Sequence, residues 1–436
     1  MTGDRGGEVE LVTIGSELLL GFTLDANGAH IARELAALGV MVVRRAAVGD
    51  EAGLIASAVR EALERTGAVI TTGGLGPTAD DLTKPAIAAV FGKGMRLDED
   101  VLEGLRRLWA SRGWGRELPK ANEQQALVPE GATILTNRHG SAPGIWLEDE
   151  RGWVAMLPGV PREMRGMFAE EVLPRVRARQ AGGAGAAAAG AGHAAEGAAP
   201  TVVLSRTVRT TGIAESAVAD AIAPVAASLA GVDLAYLPGW EGVDLRVTSH
   251  GRPHADAERV LGEAERTLRA VVGRHVYGVE RDDLAAVVLG LCRDRGFALA
   301  VAESCTGGLL GGRITAIPGS SQFFVGGVIA YSNEVKATHL GVGDDTMIQF
   351  GAVSEETARE MAQGVRARYR ADVAVAITGI AGPDGGTPDK PVGTVCVAVD
   401  VRGAVQSARR QLVGDRQEVR LRSTQWALDL VRRSLA

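Results

Sequence analysis

The sequence predicts a multidomain α/β protein, and three features lead to this prediction. Its 436 residues are enough for two or three domains. Short apolar segments alternate with amphipathic helical segments near both ends of the chain, which is typical of parallel sheets covered by helices. Several apolar segments end in glycine-rich turns, where sheets of this class bind their ligands. We therefore expect two sheet domains with a small α+β module between them.

The composition indicates a globular protein of a reducing compartment. Hydrophobic residues make up 46% of the chain and charged residues 23%, which is ordinary for this class. The net charge of −6 argues against direct nucleic-acid binding as the main role. The three cysteines, Cys292, Cys305 and Cys396, form neither a disulfide framework nor a zinc pattern. The polar first ten residues and the lack of a long apolar run predict a cytoplasmic protein without a signal peptide or membrane span.

The first domain is predicted over residues 9–179 as a parallel sheet with helices on both faces. Its helices carry apolar residues at helical spacing, and its strands are short apolar runs. The predicted order is strand Val9–Ile14, helix Ala29–Leu38, strand Val40–Arg44, helix Glu51–Arg65 and strand Ala68–Thr72.

A glycine-rich turn follows the third of these strands. Its glycines allow the backbone to curl around a phosphate, and its two adjacent aspartates suit a divalent cation that bridges phosphate oxygens. The aspartates have an alternative role, the stabilisation of a helix N-terminus by negative charge, and we expect one of them to do only that. The candidate residues of this turn are Gly73, Gly74, Gly76 and Thr78 for substrate and Asp80 and Asp81 for metal.

The middle of the chain contains a linker and a small module. Residues 180–200 are almost entirely Ala and Gly, which predicts a flexible linker or a disordered insertion. Residues 201–277 read as an α+β unit that acts as a spacer and assembly module. Its predicted elements are strand 201–211, helix 212–223, strands 232–237 and 243–249, and helix 254–272.

The third domain, residues 282–436, contains a turn suited to nucleophilic chemistry. An apolar strand ends at Ala302 and is followed by Glu303-Ser304-Cys305-Thr306-Gly307-Gly308 and a helix start. Ser304 either attacks a carbonyl carbon or only caps the helix, and the spacing alone favours the cap. Lys336 with a lowered pKa would be its base, and the amides after Ser304 would hold an oxyanion.

Three strand-end turns, at Ser304, Tyr331 and Thr378, are predicted to converge with Arg416, and the chemistry they suggest is amide hydrolysis. Arg416 and the turn that contains Gly379 would hold a phosphate. Cys305 is a rival nucleophile without a nearby histidine, or a small packed residue. Tyr331 contacts substrate or packs, and Glu303 contacts substrate or accepts hydrogen bonds from turn amides. The candidate catalytic residues are Ser304, Lys336, Tyr331 and Thr378, and the candidate substrate-binding residues are Glu303, Thr306, Gly307, Gly308, Gly379 and Arg416.

The first domain resembles the molybdopterin-binding fold, and in detail the amino-terminal domain of the CinA (competence/damage-inducible) family. Middle-domain strings at 211–216 and 236–238 also resemble that family. In some members the first domain is a metal-dependent pyrophosphatase that acts on ADP-ribose. The resemblance therefore implies a divalent metal such as Mg, and it adds Ser16 and Asn27 to the substrate-binding candidates. The strings that carry the resemblance are Ile14–Leu19, Asp25–Asn27, Thr72–Asp81 and Leu157–Met164.

The third domain resembles the carboxy-terminal CinA domain, a nicotinamide mononucleotide amidohydrolase. The resemblance implies that Ser304 is the nucleophile and Lys336 its base, in a salvage reaction that yields nicotinate mononucleotide and ammonia without a metal or organic cofactor. The matching strings are Ala302–Gly308, Tyr331–Lys336, Gly351–Ser354, Gly379–Gly386, Pro391–Val395 and Gly414–Arg416.

Two alternatives concern the role of the whole protein. In one, the first domain is a pterin- or nucleotide-binding adaptor without turnover. In the other, the protein acts in competence or recombination through contacts with a protein partner. We expect small-molecule nucleotide substrates, no membrane, no direct nucleic-acid binding and a homodimer.

Overall fold

The computed structural model describes residues 7–78, 80–111, 118–187 and 201–436. The chain divides into two compact units, Met1–Leu204 with His250–Ala257, and Ser205–Ser249 with Glu258–Ala436. Within the described part of the chain, no helix combines the length and the hydropathy that a membrane crossing requires.

The first unit is built on a six-stranded sheet. Its strands are β1 (Glu8–Ile14), β2 (Met41–Val48), β3 (Ala68–Thr72), β6 (Thr133–Leu135), β7 (Gly144–Asp149) and β8 (Gly152–Leu157), and a separate pair is β4 (Met95–Leu97) and β5 (Leu127–Pro129). Its helices are α1 (Ser16–Leu19), α2 (Ala26–Ala36), α3 (Ala52–Thr66), α4 (Thr83–Val90), α5 (Glu99–Ser111), α6 (Pro161–Met167) and α7 (Leu173–Ala187).

The sheet has the order β2-β1-β3-β8-β7-β6, and it is only partly parallel. The pairs among β2, β1, β3 and β8 are parallel, whereas β7 runs antiparallel to both β8 and β6. The expectation of an all-parallel sheet is therefore wrong at this edge, because β7 and β8 are joined by a tight hairpin rather than by a crossover helix. Four parallel strands still bring their carboxyl ends to one edge.

Both faces of the central strands β1, β3 and β8 are buried, as strands between two helical layers require, whereas the edge strand β2 is mostly exposed. Val12 and Ile14 of β1 pack in a cluster with α3 and α4, and Val9 and Leu11 pack in a second cluster with α2 and α6. Alternate residues of one strand therefore fill two cores, and each fully buried side chain of this size contributes about 1.5–3 kcal/mol.

The Ala/Gly-rich segment begins later than the sequence predicted. Helix α7 continues through residues 180–187, so a linker that starts at residue 180 is wrong for these eight positions. Alanine has the highest helix propensity, and it outweighs the interspersed glycines directly after a packed helix. Residues 188–200 lie outside the described residues.

The middle module has a four-stranded sheet in the order β10-β11-β9-β12. The predicted helix over 212–223 is shorter than expected, because it starts at Glu215 and passes into a 3-10 turn at Ala223. The elements of the module are β9 (Thr201–Thr210), α8 (Glu215–Ile222), β10 (Asp233–Pro238), β11 (Val243–Pro253), α9 (His254–Val272) and β12 (Val276–Val279).

The third domain has a five-stranded sheet in the order β14-β13-β15-β16-β17. Its strands are β13 (Leu299–Glu303), β14 (Phe324–Ile329), β15 (Val373–Gly379), β16 (Thr394–Val401) and β17 (Ala404–Gln411). Its helices are α10 (Leu284–Arg295), α11 (Leu309–Thr315), α12 (Asn333–Leu340), α13 (Asp344–Phe350), α14 (Glu355–Tyr369) and α15 (Arg416–Leu435).

The parallel strands β14, β13 and β15 place the functional turns at one edge. Val373, Val375 and Ile377 of β15 pack with α10 and α15, and the smaller Ala374 and Ala376 pack with α14 on the other face. The sequence predicts a loop and a helical turn over 318–327 and a strand over 328–331, whereas β14 begins at Phe324, four residues before that strand. Hydrogen bonding to β13 holds its two glycines in the sheet despite their low strand propensity.

Candidate active site

The carboxyl ends of β13 and β14 bring a serine and a lysine together. Ser304 follows β13 directly, and its amide donates to Ile377 O of the neighbouring β15. Lys336 lies in α12, whose first turn is capped by Ser332 Oγ accepting from the Val335 amide. Lys336 Nζ lies 3.1 Å from Ser304 Oγ, and both side chains are buried. This separation is within the reach of direct proton transfer.

The surroundings of Lys336 favour its neutral form. Only 2% of the residue is exposed, and burial lowers the pKa of its ammonium group. Its Nζ also donates to Ala330 O at 2.9 Å and to Tyr331 O at 3.4 Å. A neutral amine has two N–H bonds, so when both point at these carbonyls its lone pair faces Ser304 Oγ.

Cys305 is a poor alternative nucleophile. Its thiol is buried, and burial raises its pKa to about 12. Nucleophilic cysteines require a thiolate, which this environment disfavours. A side chain in place of Gly379 would have its Cβ 3.1 Å from Cys305 Sγ, so the sulfur also fills the space against β15. The geometry therefore agrees with the interpretation of Cys305 as a packed residue.

Glu303 binds the backbone instead of a substrate. Its carboxylate accepts hydrogen bonds from the amides of Gly308, Leu310 and Gly311 at 2.8–3.0 Å, and the residue is 1% exposed. Its place among the substrate-binding residues is therefore wrong, because all of these contacts are with the first turn of α11. The alternative of a structural carboxylate is the one that the structure supports.

The hydrogen bonds to Glu303 determine which backbone amides near Ser304 are left to donate to an oxyanion. The N-terminal amides of α11 are occupied by Glu303, and the Gly307 amide donates to Ser304 O. Among the described residues, no acceptor is hydrogen-bonded to the amides of Cys305 or Thr306. These two donors directly follow the serine, which is where an oxyanion hole is required.

We expect Glu303→Gln to destabilise the domain without a specific effect on substrate affinity. The amide cannot accept three hydrogen bonds with the strength of a carboxylate, and the free energy of unfolding should fall by about 2 kcal/mol. Urea unfolding followed by circular dichroism measures this loss. Glu334→Gln, in the first turn of α12, is a matched control with little expected change. A raised KM with unchanged stability in Glu303→Gln would instead restore the substrate-binding role.

The remaining residues form a cavity of about 270 Å³ beside the serine. Arg416, the first residue of α15, donates to Gly382 O at 2.5 Å and to the Tyr331 hydroxyl at 3.1 Å. Tyr331 is 61% exposed, so it lies at the rim and does not pack in the core. The predicted site residues that line the cavity are Ser304, Tyr331, Lys336, Thr378, Gly379 and Arg416.

The Thr378 hydroxyl donates a hydrogen bond to the backbone. Its Oγ1 donates to Ala352 O at 2.6 Å, and the residue is 1% exposed. This hydrogen bond holds the turn before α14 against the cavity, and the catalytic role of Thr378 stays a prediction. Thr306, Gly307 and Gly308 are not part of the lining, and the Thr306 side chain is fully buried.

Sequence reasoning missed several residues of the cavity wall. The missed residues are Asn333, Ala352, Val353, Ile380, Ala381, Gly382, Asp384 and Gly385. Asn333 lies inside the recognised string before Lys336, and its position at the start of α12 was the available signal. Ala352 and Val353 lie in the recognised string Gly351–Ser354, and the packing of α14 over β15 brings that string to the cavity.

The first unit has a separate cavity of about 440 Å³ at the carboxyl ends of β1, β3 and β8. The glycine turn after β3 forms part of its wall. A Cβ at Gly73 would lie 2.0 Å from Ile14 O, and one at Gly74 would lie 2.1 Å from Thr83 Oγ1, so both positions require glycine. Five carboxylates line this cavity, those of Glu17, Asp50, Asp80, Asp81 and Glu163.

The predicted metal and substrate residues of the first unit have different surroundings. Asp81 Oδ2 accepts from the Thr78 amide at 2.8 Å and from its hydroxyl at 2.5 Å, so this pair stabilises the turn. Asp80 is exposed. Ser16 donates to Asp50, and Asn27 donates to Gly159 O. Ser16, Asn27 and Thr78 are not part of the cavity lining, in contrast to Gly73, Gly74 and Gly76.

The acidic cavity has the donor chemistry of a hard divalent cation. The described residues contain no group of three His, Cys, Asp or Glu side chains close enough to enclose one. Mg²⁺ commonly binds one or two carboxylates and takes its other ligands from water and substrate phosphates. The residues present fit a cation of that kind.

Three family models match the chain in succession. They are a probable molybdopterin binding domain at residues 10–178, a damage-inducible protein CinA KH domain at 205–278 and a CinA C-terminal domain at 281–435. A CinA-like protein of Gemmatimonas aurantiaca is 59% identical over 98% of this chain and 96% of that protein. The chain belongs to the CinA family. CinA-like proteins of Frankia casuarinae and Kosmotoga olearia are 44% and 39% identical over 98% of this chain and 96% and 99% of their own.

Solved structures of CinA proteins match parts of the chain. The competence/damage inducible protein CihA from Agrobacterium tumefaciens is 44% identical, with a TM-score of 0.34 over 35% of this chain and 93% of that one. The protein CinA with unknown function from Thermoplasma acidophilum is 32% identical, with a TM-score of 0.37 over 39% of this chain and 98% of that one. The predicted α/β class, with a molybdopterin-biosynthesis-like first domain and a CinA-like third domain, is confirmed by the family models.

Proposed function

We propose that the CinA C-terminal domain hydrolyses the carboxamide of nicotinamide mononucleotide to nicotinate mononucleotide and ammonia. The observation that carries the proposal is the 3.1 Å contact between Lys336 Nζ and Ser304 Oγ. A serine beside a buried lysine with a lowered pKa is an activated nucleophile, because the neutral lysine can take the serine proton. The cavity beside the serine, of about 270 Å³, has room for part of a mononucleotide.

The first half of the reaction forms an acyl-enzyme. Neutral Lys336 takes the proton of Ser304, whose oxygen bonds to the amide carbon. The amide of Cys305, which directly follows the serine and lines the cavity, holds the resulting oxyanion. The C–N bond breaks as Lys336 returns the proton to the leaving nitrogen, and ammonia departs.

The second half releases the acid. Lys336 takes a proton from water, whose oxygen bonds to the acyl carbon, and the C–O bond to Ser304 breaks as the serine recovers its proton. Arg416 and the turn from Gly379 to Gly385 provide a guanidinium group and backbone amides for the substrate phosphate. Ammonia release from nicotinamide mononucleotide, followed with the purified full chain, is the direct test. A chain that binds this nucleotide without releasing ammonia would contradict the proposal.

We propose as a second function that the first unit hydrolyses the pyrophosphate of ADP-ribose, with Mg²⁺ bound at the acidic cavity. The supporting observation is the glycine cradle beside the carboxylates, because added Cβ atoms at Gly73 and Gly74 would collide with their neighbours. Bound Mg²⁺ would neutralise the charge of the substrate's phosphate oxygens. Asp80 would be a cation ligand, and Asp81 would hold the turn through Thr78.

We expect a chelator to abolish AMP release from ADP-ribose, with recovery on addition of Mg²⁺. The same chelator should leave ammonia release unchanged, which makes the second unit an internal control. Asp80→Asn should lower AMP release at least about tenfold without a loss of stability, since its carboxylate is exposed. Asp81→Asn should lower both AMP release and stability. A first unit that binds nucleotides but produces no AMP with Mg²⁺ would instead be a binding adaptor.

A further inference from the structure

The second unit has another cavity, of about 320 Å³, that shares no residue with the cavity beside Ser304. Its walls are the 211–215 loop and the 238–243 turn of the KH module, the end of β17 and one side of α15. The proposed amide hydrolysis uses none of these residues. Small-molecule cavities of this size bind compact ligands through a few polar groups.

Gln425 lines this cavity and has an unused donor. The residue is 2% exposed, and its Oε1 accepts from Arg313 Nη1 at 2.6 Å. Arginine only donates, so this contact fixes the orientation of the Gln425 amide. Nε2 then faces away from Arg313, and it is buried without a hydrogen-bond partner. A buried donor of this kind costs free energy unless a ligand or water accepts from it.

Two arginines of the cavity wall also lack a carboxylate partner. Within the described chain, neither Arg410 nor Arg422 makes an ion pair or a side-chain hydrogen bond, and Arg422 Nε is buried and unsatisfied. The Arg410 guanidinium lies 4.8 Å from the centre of the Trp426 ring, which orients it by a cation–π contact. Both guanidinium groups therefore keep their N–H donors for another acceptor.

No carboxylate of this cavity forms an ion pair with Arg410 or Arg422 among the described residues, although the charge of Asp429 favours the charged form of Arg410. Glu241 and Asp429 are each held by two other arginines, and only Glu215, which is exposed, remains. The ion pairs concerned are Glu241 with Arg209 and Arg313, and Asp429 with Arg432 and Arg433. The cavity wall therefore contains two arginines without an ion-pair partner, Arg410 and Arg422, and one solvated carboxylate, that of Glu215. The amide of Gln425 adds a neutral donor.

We propose that this cavity binds a small anionic metabolite through a phosphate or carboxylate group. The oxygens of such a group accept from the guanidinium groups of Arg410 and Arg422, and Gln425 Nε2 donates to the same ligand. Guanidinium pairs with phosphate or carboxylate in a bidentate geometry that suits either anion. The site is separate from Arg416, which serves the other cavity.

Tryptophan fluorescence provides the readout, because both tryptophans of the second unit, Trp240 and Trp426, line this cavity. The full chain is titrated with ribose 5-phosphate, inorganic phosphate and citrate, which separates phosphate from carboxylate recognition. We expect a saturable change with at least one of them. Arg422→Met should weaken that binding about tenfold or more, given the strength of hydrogen bonds between charged groups.

Two further variants make the result specific. Gln425→Glu keeps the acceptor for Arg313 and replaces the unused donor by a negative charge, so it should abolish binding while the thermal unfolding transition is retained. Arg416→Met removes an arginine from the other cavity and should leave the fluorescence titration unchanged. No saturable change with any of the three anions would overturn the proposal. An equal loss in Arg416→Met and Arg422→Met would also overturn it.

Discussion

Ser304→Ala is expected to lower ammonia release from nicotinamide mononucleotide by at least about 10³-fold, which is the scale of losing a catalytic nucleophile. The alanine cannot form the acyl-enzyme, and Lys336 loses the group from which it takes a proton. The measurement is the steady-state rate of ammonia release by wild type and variant at equal concentration. Substrate binding should persist, because Arg416 and the Gly379 turn are unchanged.

The matched control for this prediction is Cys305→Ala, one residue further along the same turn. Its thiol is protonated in the folded protein because burial raises its pKa to about 12. We expect this variant to keep ammonia release within a few-fold of wild type, with a modest loss of stability from the cavity that it leaves. Full activity in Ser304→Ala together with loss in Cys305→Ala would transfer the nucleophilic role to the thiol.

The position of the cavity in the third domain could be predicted because its lining residues lie at the ends of strands. Ser304, Tyr331 and Thr378 each follow an apolar run, and parallel strands bring such ends to one edge. What local sequence does not contain is the partner of each polar group. The sequence allowed two roles for Glu303, and only the fold shows that its carboxylate accepts hydrogen bonds from the amides of α11. In the same way, only the fold shows that the Thr378 hydroxyl donates to Ala352 O.

Pairing between strands explains the errors in the fold. Gly326 and Gly327 have low strand propensity, yet they lie in β14 because β13 provides their hydrogen bonds. In the first unit, the hairpin between β7 and β8 turns the sheet antiparallel at that edge. The predicted division of roles within the aspartate pair stays a prediction, because Asp81 holds the turn through Thr78 and the first turn of α4 contains no acidic residue.

Replacement of Lys336 should have an effect as large as that of Ser304. Lys336→Ala removes the base, and ammonia release should fall by at least about 10³-fold. Lys336→Arg should fail likewise, because a guanidinium group stays protonated at every pH at which the protein is folded. Methylamine should restore part of the activity to Lys336→Ala by occupying the space of the lost amine. Rescue of Lys336→Ala by methylamine but not of Ser304→Ala would distinguish a lost base from a damaged fold.

The pH dependence of wild-type ammonia release follows from the same lysine. Burial lowers the pKa of Lys336 below the ordinary 10.5, so its neutral form becomes populated at a lower pH than in an exposed lysine. Ammonia release should therefore rise with pH, by about tenfold per pH unit on the acidic side, and level off below 10.5 once the amine is neutral. Urea unfolding at the same pH values excludes a loss of folded protein as the cause of the acidic decline. A rate that is independent of pH over this range would show that no group with such a pKa takes the serine proton, and Lys336 would then only position Ser304.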